Sequence, residues 1–136
     1  MNTMLRLGRE REHLAIVNDQ TGAPTSADLI ATVTLLAVKE WERGQLANGV
    51  YHLATRGEAT WHDFASEIFR LATAAGEPLA IKPVAVKGIP TSDYPTPAAR
   101  PLNSRLALAK LEAALEITLP DWRDQLALSL SDRLPA

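Results

Sequence analysis

The sequence predicts an α/β protein, because short apolar runs typical of buried strands alternate with longer stretches of helical periodicity. Two runs are best explained as strands, HLAIVN at residues 13–18 and VYHLA at residues 50–54. Only these two have the length and apolar content of buried strands. A two-stranded parallel sheet cannot cover its own edges, so the pattern indicates part of a larger sheet.

The first half of the chain holds one of these strands and the longest helix. Residues 3–11 carry basic side chains late, as the end of a helix does. After the strand at 13–18, Gly22 and Pro24 make a loop. A helix is predicted over residues 26–43, with Thr25 and Asp28 as its capping box. Its apolar positions share one face: Leu29, Ile30, Val33, Leu36, Ala37 and Trp41.

The second half begins with the strand at 50–54, after the break at Asn48-Gly49. Thr60 and Asp63 have capping-box spacing and predict a helix that ends at Gly76. The apolar stripe of this helix consists of Trp61, Phe64, Ala65, Ile68, Phe69 and Ala72. Leu79–Val86 is a third extended segment, and Pro83 predicts that it lies at a sheet edge.

Two short helices are predicted near the end of the chain. The helix over residues 108–115 is weakly specified at its start, because Ala107 stands where Asp or Asn would cap it. Thr118 and Asp121 are predicted to cap the last helix. Its buried face would hold Trp122, Leu126, Leu130 and Leu134.

Composition excludes several classes of function. The 136 residues suggest one domain or part of one, and 14 basic against 16 acidic residues show no general nucleic-acid footprint. The chain has no cysteine, which excludes disulfides, thiolate catalysis and cysteine zinc sites. No apolar run approaches the ~20 residues that a membrane helix needs. A cytoplasmic protein without a membrane or nucleic-acid partner is therefore expected.

No metal or nucleotide-phosphate motif is visible. His13, His52 and His62 are scattered, and no HExxH occurs. The seven glycines are isolated, so there is no GxGxxG cofactor loop. The sequence therefore predicts no metal ligand, no cofactor-binding residue and no catalytic residue in this chain.

Two loops could bind an anion. Residues 94–106, YPTPAARPLNSRL, are stiffened by three prolines and carry Arg100 and Arg105, whose guanidiniums can fork onto phosphate oxygens. The alternative is that Arg100 pairs with a carboxylate and only fixes the loop. The loop DQTGAPTSADL ends at a helix N-terminus, where free amides can receive an anion, although by itself it is best explained as a simple helix entry.

Four segments, taken together, resemble the C-terminal part of dTDP-4-dehydrorhamnose reductases, which are extended short-chain dehydrogenase/reductases. They run in register from Leu14 to Trp122: LAIVNDQTGAPTSADLI, GVYHLATRGEATWHDFASEIF, IPTSDYPTPAARPLNSRL and LAKLEAALEITLPDW. The resemblance implies a single, partial sugar-nucleotide-binding domain over residues 1–136. The strands at 13–18 and 50–54 would be two late strands of a Rossmann sheet.

The resemblance also implies an activity for the complete enzymes, the NADPH-dependent reduction of a dTDP-4-keto sugar to dTDP-L-rhamnose. In those enzymes an N-terminal Rossmann domain binds the cofactor and carries a Tyr-x-x-x-Lys pair. Here Tyr51 leads to Thr55 and Tyr94 to Ala98, so that pair and the N-terminal cofactor domain are both absent from these residues. We therefore expect substrate binding without hydride transfer.

The resemblance implies six substrate-binding residues, on the loop that contains Gly22–Thr25 and on the proline-rich loop: Gln20, Gly22, Thr25, Arg100, Asn103 and Ser104. Arg100 would face the diphosphate, and Asn103 and Ser104 would bond to substrate or fix the loop. Trp61 is expected to pack, with stacking on a sugar as the alternative. The alternative function is a non-catalytic regulatory or interaction protein of the same fold. The expected partners are a dTDP-sugar and either a Rossmann-domain chain or a second copy.

Overall fold

The computed structural model describes residues 1–131, except for the side chain of Pro83. Short 3-10 turns occupy Pro83–Ala85 and Thr91–Asp93. The predicted mixture of helices and short strands is confirmed within these residues. In chain order the elements are α1 Asn2–Glu10, β1 Leu14–Val17, β2 Thr21–Gly22, α2 Ala27–Glu42, β3 Ala59–Thr60, α3 Trp61–Ala74, β4 Val86–Ile89, α4 Ala109–Leu115 and α5 Trp122–Ser131.

The main sheet pairs β1 with β4 in parallel, with Leu14 opposite Val86 and Val17 opposite Ile89. The first predicted strand is thus confirmed. The prediction of an extended segment over Leu79–Val86 is wrong in position, because the strand begins where that segment ends. The amides of Ala80 and Ile81 both donate to the Gly8 carbonyl, and Pro83 has no amide to give to a strand.

The predicted strand at Val50–Ala54 is wrong within the described residues, where no strand pairs with it. The backbone next to it is held by loops instead. The Thr55 amide donates to the Thr25 hydroxyl at 3.2 Å, and the Arg56 amide donates to the Pro120 carbonyl at 2.8 Å. Buried backbone groups need hydrogen-bond partners, and here bonds to loops take the place of bonds to a neighbouring strand.

The larger hydrophobic core surrounds α3, which packs against α1, α5 and both strands of the main sheet. Ile68 and Phe69 are fully buried, and Trp122 of α5 is 1% exposed. α1 crosses α3 at Gly8, where an added Cβ would lie 2.7 Å from the Phe69 ring. That close approach explains why a glycine stands inside α1, where it would otherwise weaken the helix.

A smaller core joins α2 and α4. Its buried and partly buried members include Val33, Leu46, Leu111, Leu115 and Leu119. On the predicted apolar face of α2, Val33 is buried, but Ile30 and Trp41 are 45% and 55% exposed. Within the described residues, the rest of the chain therefore covers only part of the apolar face of α2.

The start of α2 differs from the prediction by one residue. Ser26, and not Thr25, caps the helix, because its hydroxyl accepts from the Leu29 amide at 3.1 Å. Thr25 cannot serve in this way, since its hydroxyl donates to the Ala23 carbonyl and accepts from the Thr55 amide.

The capping box of α3 is confirmed. The Asp63 amide donates to the Thr60 hydroxyl at 3.1 Å, and the Thr60 amide donates to the Asp63 carboxylate at 2.9 Å. Partial burial raises the pKa of Asp63, but the hydrogen bonds from Thr60 and the neighbouring His62 outweigh it and leave that pKa below its ordinary value. The helix ends before Gly76, whose φ of 81° is the left-handed conformation expected just beyond a helix.

The last two helices largely follow the predictions. α4 has no side-chain cap, in agreement with the missing Asp or Asn at its start. α5 begins after Asp121, which accepts from the Arg123 amide at 2.9 Å, so Thr118 is not the N-cap. Trp122, Leu126 and Leu130 are buried as predicted, whereas Leu134 lies outside the described residues.

An ion pair ties the segment after Ala54 to α4. Arg56 Nε and Nη2 donate to the two carboxylate oxygens of Glu112 at 2.8 and 3.1 Å, and the Leu119 amide donates to the same carboxylate at 2.8 Å. The hydrogen bonds from Arg56, and to a smaller extent that from the Leu119 amide, hold the pKa of Glu112 below its ordinary value.

Among residues 1–131, no helix has both the length and the apolar content to cross a membrane.

Replacing Thr60 with Ala should destabilise the protein by about 1 kcal/mol, because the first turn of α3 loses its capping hydroxyl. Chemical denaturation would measure this loss. Thr73→Ala, an exposed position of the same helix, is the matched control and should be neutral or slightly stabilising. Equal losses in both variants would contradict the importance of the cap.

Glu112→Gln should flatten the dependence of stability on pH. A carboxylate whose pKa is lower in the folded state stabilises fully above its ordinary value of 4.5, and this stabilisation is lost as the pH falls through the folded value. The wild-type chain should therefore lose more of its free energy of unfolding than Glu112→Gln between about pH 5 and about pH 3.

The control for this pH series is Glu42→Gln, which removes an exposed carboxylate that has no bonding partner among the described residues. Its curve should run parallel to the wild-type curve. Asp19, Asp63 and Glu67 also have lowered pKa values and contribute the same slope to every protein in the series. Parallel curves for Glu112→Gln and wild type would refute the assignment.

Candidate functional site

Three segments that are far apart in the chain lie side by side around Thr21. On one side β2 pairs antiparallel with β3, with Thr21 opposite Thr60. On the other side the Thr21 amide donates to the Leu102 carbonyl at 2.8 Å, and the Ser104 amide donates to the Thr21 carbonyl at 2.8 Å. We call residues 20–22, 59–61 and 102–104 the Thr21 patch.

The Thr21 patch brings together four of the six predicted substrate-binding residues. Gln20 and Gly22 flank Thr21, and Asn103 is its bridge partner on the proline-rich side. A Cβ added at Gly22 would lie 3.8 Å from the Ser104 Cβ, an ordinary van der Waals distance, so the two residues are close neighbours. Asn103 and Ser104 remain exposed.

A chain of hydrogen bonds runs through Gln20. The Trp61 Nε1 donates to the Gln20 Oε1 at 3.2 Å, and the Gln20 Nε2 donates to the Thr91 hydroxyl at 3.1 Å. The Thr91 hydroxyl in turn donates to Asp19. An indole nitrogen can only donate, so this first bond fixes the orientation of the amide and the direction of the whole chain.

Asp19 ends this chain of hydrogen bonds. Its carboxylate also accepts from the Thr91 amide, at 2.9 and 3.0 Å to its two oxygens. The Thr91 hydroxyl and then the Thr91 amide hold the pKa of Asp19 below its ordinary value, so it is a carboxylate at neutral pH. Asp19 therefore anchors Thr91, which lies just before the proline-rich loop, to the segment that follows β1.

The two guanidiniums of the proline-rich loop differ in their contacts. Arg105 donates to the Glu58 carboxylate at 2.6 Å and to the Asn103 Oδ1 at 3.0 Å. Arg100 is exposed and has no hydrogen bond or ion pair within residues 1–131. The alternative was that Arg100 pairs with a carboxylate. In the described residues it is Arg105, and not Arg100, that forms such a pair.

Thr25 lies apart from the Thr21 patch. Its hydroxyl is bonded to Ala23 and Thr55, as described above, and the Thr55 hydroxyl donates to the Pro24 carbonyl at 2.9 Å. Thr25 thus fixes the loop at 23–25 to the buried Thr55. Arg100 precedes Asn103 by three residues, a span of at most roughly 10 Å, but within residues 1–131 no hydrogen bond joins it to the other predicted residues.

None of the six predicted residues lines either of two cavities found in the described part of the chain. A cleft of about 330 Å³ is bordered by Ala23, Thr55, Arg56, Arg105 and Glu112, among others. A second cavity of about 300 Å³ is mostly apolar and lies between α2 and the segment at 46–53. Within residues 1–131 no cluster of His, Asp and Glu could hold a metal ion.

Several contributors to the site could not be identified from the sequence. Asp19 and Thr91 are 72 residues apart, and nothing in their local sequence joins them. The bond between Arg105 and Glu58 also links distant residues. The one usable signal was the position of Asp19 and Gln20 directly after a strand, where loop side chains commonly face a ligand.

Comparison with known proteins agrees with the resemblance described above. The family model described as "RmlD substrate binding domain" matches residues 1–134. The chain is 46% identical over 121 residues to the dTDP-4-dehydrorhamnose reductase of Escherichia coli K12, which covers 89% of this chain and 40% of that protein. It is 43% identical over 140 residues to the one from Burkholderia thailandensis, covering 98% of this chain and 46% of that protein.

Solved structures show the same fold. The dTDP-4-dehydrorhamnose reductase of Clostridium acetobutylicum matches with a TM-score of 0.81 and 34% identity, over 96% of this chain and 42% of that one. The Bacillus anthracis enzyme, solved in complex with NADP, matches with a TM-score of 0.77 and 28% identity over the same shares. This chain spans about two-fifths of the length of these relatives and corresponds to their C-terminal portion. It is homologous to dTDP-4-dehydrorhamnose reductases and belongs to the RmlD substrate-binding domain family.

Proposed function

We propose that these 136 residues are the substrate-binding part of a dTDP-4-dehydrorhamnose reductase and that they hold the diphosphate of a dTDP-sugar through Arg100. The observation that carries the proposal is the family match over residues 1–134, with 46% identity to a dTDP-4-dehydrorhamnose reductase. The complete reaction would be the NADPH-dependent reduction of dTDP-4-dehydro-L-rhamnose to dTDP-L-rhamnose.

The contacts of the two guanidiniums support the role of Arg100. A guanidinium that recognises a diphosphate must have N–H groups free to donate. Those of Arg100 are free within the described residues, whereas Arg105 already donates to Glu58 and Asn103. Arg105 then holds Asn103 in place. The exposed Ser104 hydroxyl and the side-chain NH2 group of Asn103 could also bond to the ligand, because Arg105 occupies only the Oδ1 of Asn103.

Gln20, Gly22 and Thr25 would act on the other side of the ligand. Both polar atoms of the Gln20 side chain are already bonded, so Gln20 would position Trp61 and Thr91 and touch substrate only through remaining lone pairs or its second N–H. Gly22 would leave the space beside Ser104 open to the ligand, and Thr25 would keep the loop at 23–25 in place.

The segment after β1 differs from the glycine-rich loop of a nicotinamide-cofactor site. The segment after β1 is Asn18-Asp19-Gln20, and the last two side chains bond to Thr91 and Trp61. A glycine-rich turn that leads into a helix N-terminus would be needed there instead. Hydride transfer would therefore need residues outside these 136, and the chain by itself would be inactive.

One feature favours the alternative, a non-catalytic interaction protein of the same fold. Ile30, Val38 and Trp41 lie on one side of α2 and are each close to half exposed. We call them the α2 apolar surface. It adjoins the apolar cavity of about 300 Å³, and Val38 and Trp41 line that cavity. A second copy of the chain or a Rossmann-domain chain would bury this surface.

Arg100→Ala should weaken binding of dTDP-L-rhamnose by roughly 10- to 100-fold, because a charge-assisted hydrogen bond to phosphate contributes about 1.5–3 kcal/mol. Titration calorimetry would measure the affinity. Arg105→Ala is the matched control and should lose less, since its guanidinium is already bonded to Glu58.

Two outcomes would count against this assignment. Equal losses in the two arginine variants would remove Arg100 from the diphosphate, provided that both variants melt like wild type. Oxidation of NADPH by the wild-type chain in the presence of the ketosugar nucleotide would contradict the proposal that hydride transfer lies elsewhere.

The α2 apolar surface should cause self-association at high protein concentration, which sedimentation velocity would detect as a rising average mass. Val38→Glu should reduce it, because a carboxylate would then have to be desolvated in the contact. Glu42→Gln, at an exposed position near the end of the same helix, should leave association unchanged. A wild-type chain that stays monomeric at every concentration would contradict this expectation.

A further inference from the structure

Trp61 is unusually placed for a large aromatic side chain. Its neighbours on the apolar stripe of α3 are buried or half-buried, and Trp122 is 1% exposed, but Trp61 is 59% exposed. The expectation that Trp61 packs is therefore wrong within the described residues. It also borders neither of the two cavities.

The exposed ring is nevertheless held in position. Its Nε1 donates to Gln20, whose other end donates to Thr91, which is fixed by Asp19. Three side chains, two from the segment after β1 and one from the segment after β4, thus hold one exposed indole. A ring restrained in this way loses little conformational entropy when a ligand contacts its face.

The position of Trp61 relates it to the candidate site. Thr60 pairs with Thr21, and Thr21 bridges to Asn103, so Trp61 lies at the margin of the Thr21 patch opposite the proline-rich loop. The loop supplies an unpaired cation in Arg100. An aromatic ring at one margin of the patch and a cation on the loop at the other margin suit a ligand with neutral rings and a charged diphosphate.

We propose that Trp61 is a stacking face for a neutral ring of the bound nucleotide-sugar, and that Gln20, Thr91 and Asp19 are positioning residues that hold its indole. This inference rests on the proposed function and deepens it. Both the thymine base and the hexose present a flat or apolar face that an indole can cover, and stacking on an aromatic side chain is the chemistry that they share.

Trp41 shows that exposure alone does not carry the proposal. It is 55% exposed, and its Nε1 also has a partner, the Asn48 Oδ1 at 2.8 Å. However, Trp41 lines the apolar cavity beside α2 and belongs to the α2 apolar surface. It has no link to the Thr21 patch among the described contacts, which makes it the matched control.

The test compares Trp61→Ala, Trp61→Phe and Trp41→Ala in calorimetric titrations with dTDP-L-rhamnose and with dTDP. Trp61→Ala should raise the Kd for dTDP-L-rhamnose about tenfold, whereas Trp61→Phe should keep most of the affinity because it keeps a ring. Trp41→Ala should bind like wild type. A loss limited to dTDP-L-rhamnose would assign the hexose to Trp61, and an equal loss with dTDP would assign the thymine.

A second measurement does not depend on the stability of Trp61→Ala. In Trp41→Phe, the tryptophans are the exposed Trp61 and the buried Trp122. Saturation with the ligand should then protect the fluorescence from acrylamide quenching.

The measurements distinguish a failure of the role of Trp61 from a failure of the proposed function. Wild-type chain that binds neither ligand would overturn the proposed function and, with it, the role of Trp61. Wild-type chain that binds, with unchanged affinity in Trp61→Ala or unchanged quenching in Trp41→Phe, would overturn the role of Trp61 alone.

Discussion

The candidate site depends on the backbone of a single residue, Thr21. Its neighbours on one side belong to the start of α3, and its amide and carbonyl bond on the other side to Leu102 and Ser104. Thr21 and Thr60 are 39 residues apart in the chain, and Thr21 is 81 residues from Leu102 and 83 from Ser104. The loop closures carry an entropy cost that rises only slowly with loop length, so the long connections are tolerable once the pairing is made. The ion pair between Arg105 and Glu58 is a second contact that ties the proline-rich loop to this region.

Around this pairing, most polar groups are already committed to each other. The indole of Trp61 and the amide of Gln20 form part of a chain that ends at Asp19, and Arg105 bonds to Glu58 and Asn103. Networks of this kind, in which most of the polar groups are bonded to each other, keep a surface rigid. The groups that remain free are few, chiefly Arg100 and the exposed ends of Asn103 and Ser104. A surface with few free groups in fixed positions is well suited to selective binding, because wrong ligands cannot recruit alternative donors.

Local sequence patterns predicted the elements whose determinants are local. The capping box of Thr60 and Asp63, the buried face of α5 and the uncapped start of α4 all involve residues within one or two turns of each other. The errors arose where a distant partner decides the outcome. Val50–Ala54 has strand composition, but no strand lies beside it within residues 1–131. The Thr25 hydroxyl is bonded to Thr55, and Ser26 caps α2 instead. For the site, the resemblance supplied the residue positions, but the different contacts of Arg100 and Arg105 depend on Glu58, which no local pattern connects to them.

The exposed guanidinium of Arg100, which is unpaired within residues 1–131, has a consequence for the rate of binding. The chain carries a formal net charge of -2, so a nucleotide diphosphate, itself an anion, gains no attraction at long range. At physiological ionic strength the field of one exposed cation is screened within about 8 Å. Encounter between protein and ligand would therefore be undirected and only moderately fast, and tight recognition would have to come from slow dissociation after contact. In such a system, added salt would change the rate of association little.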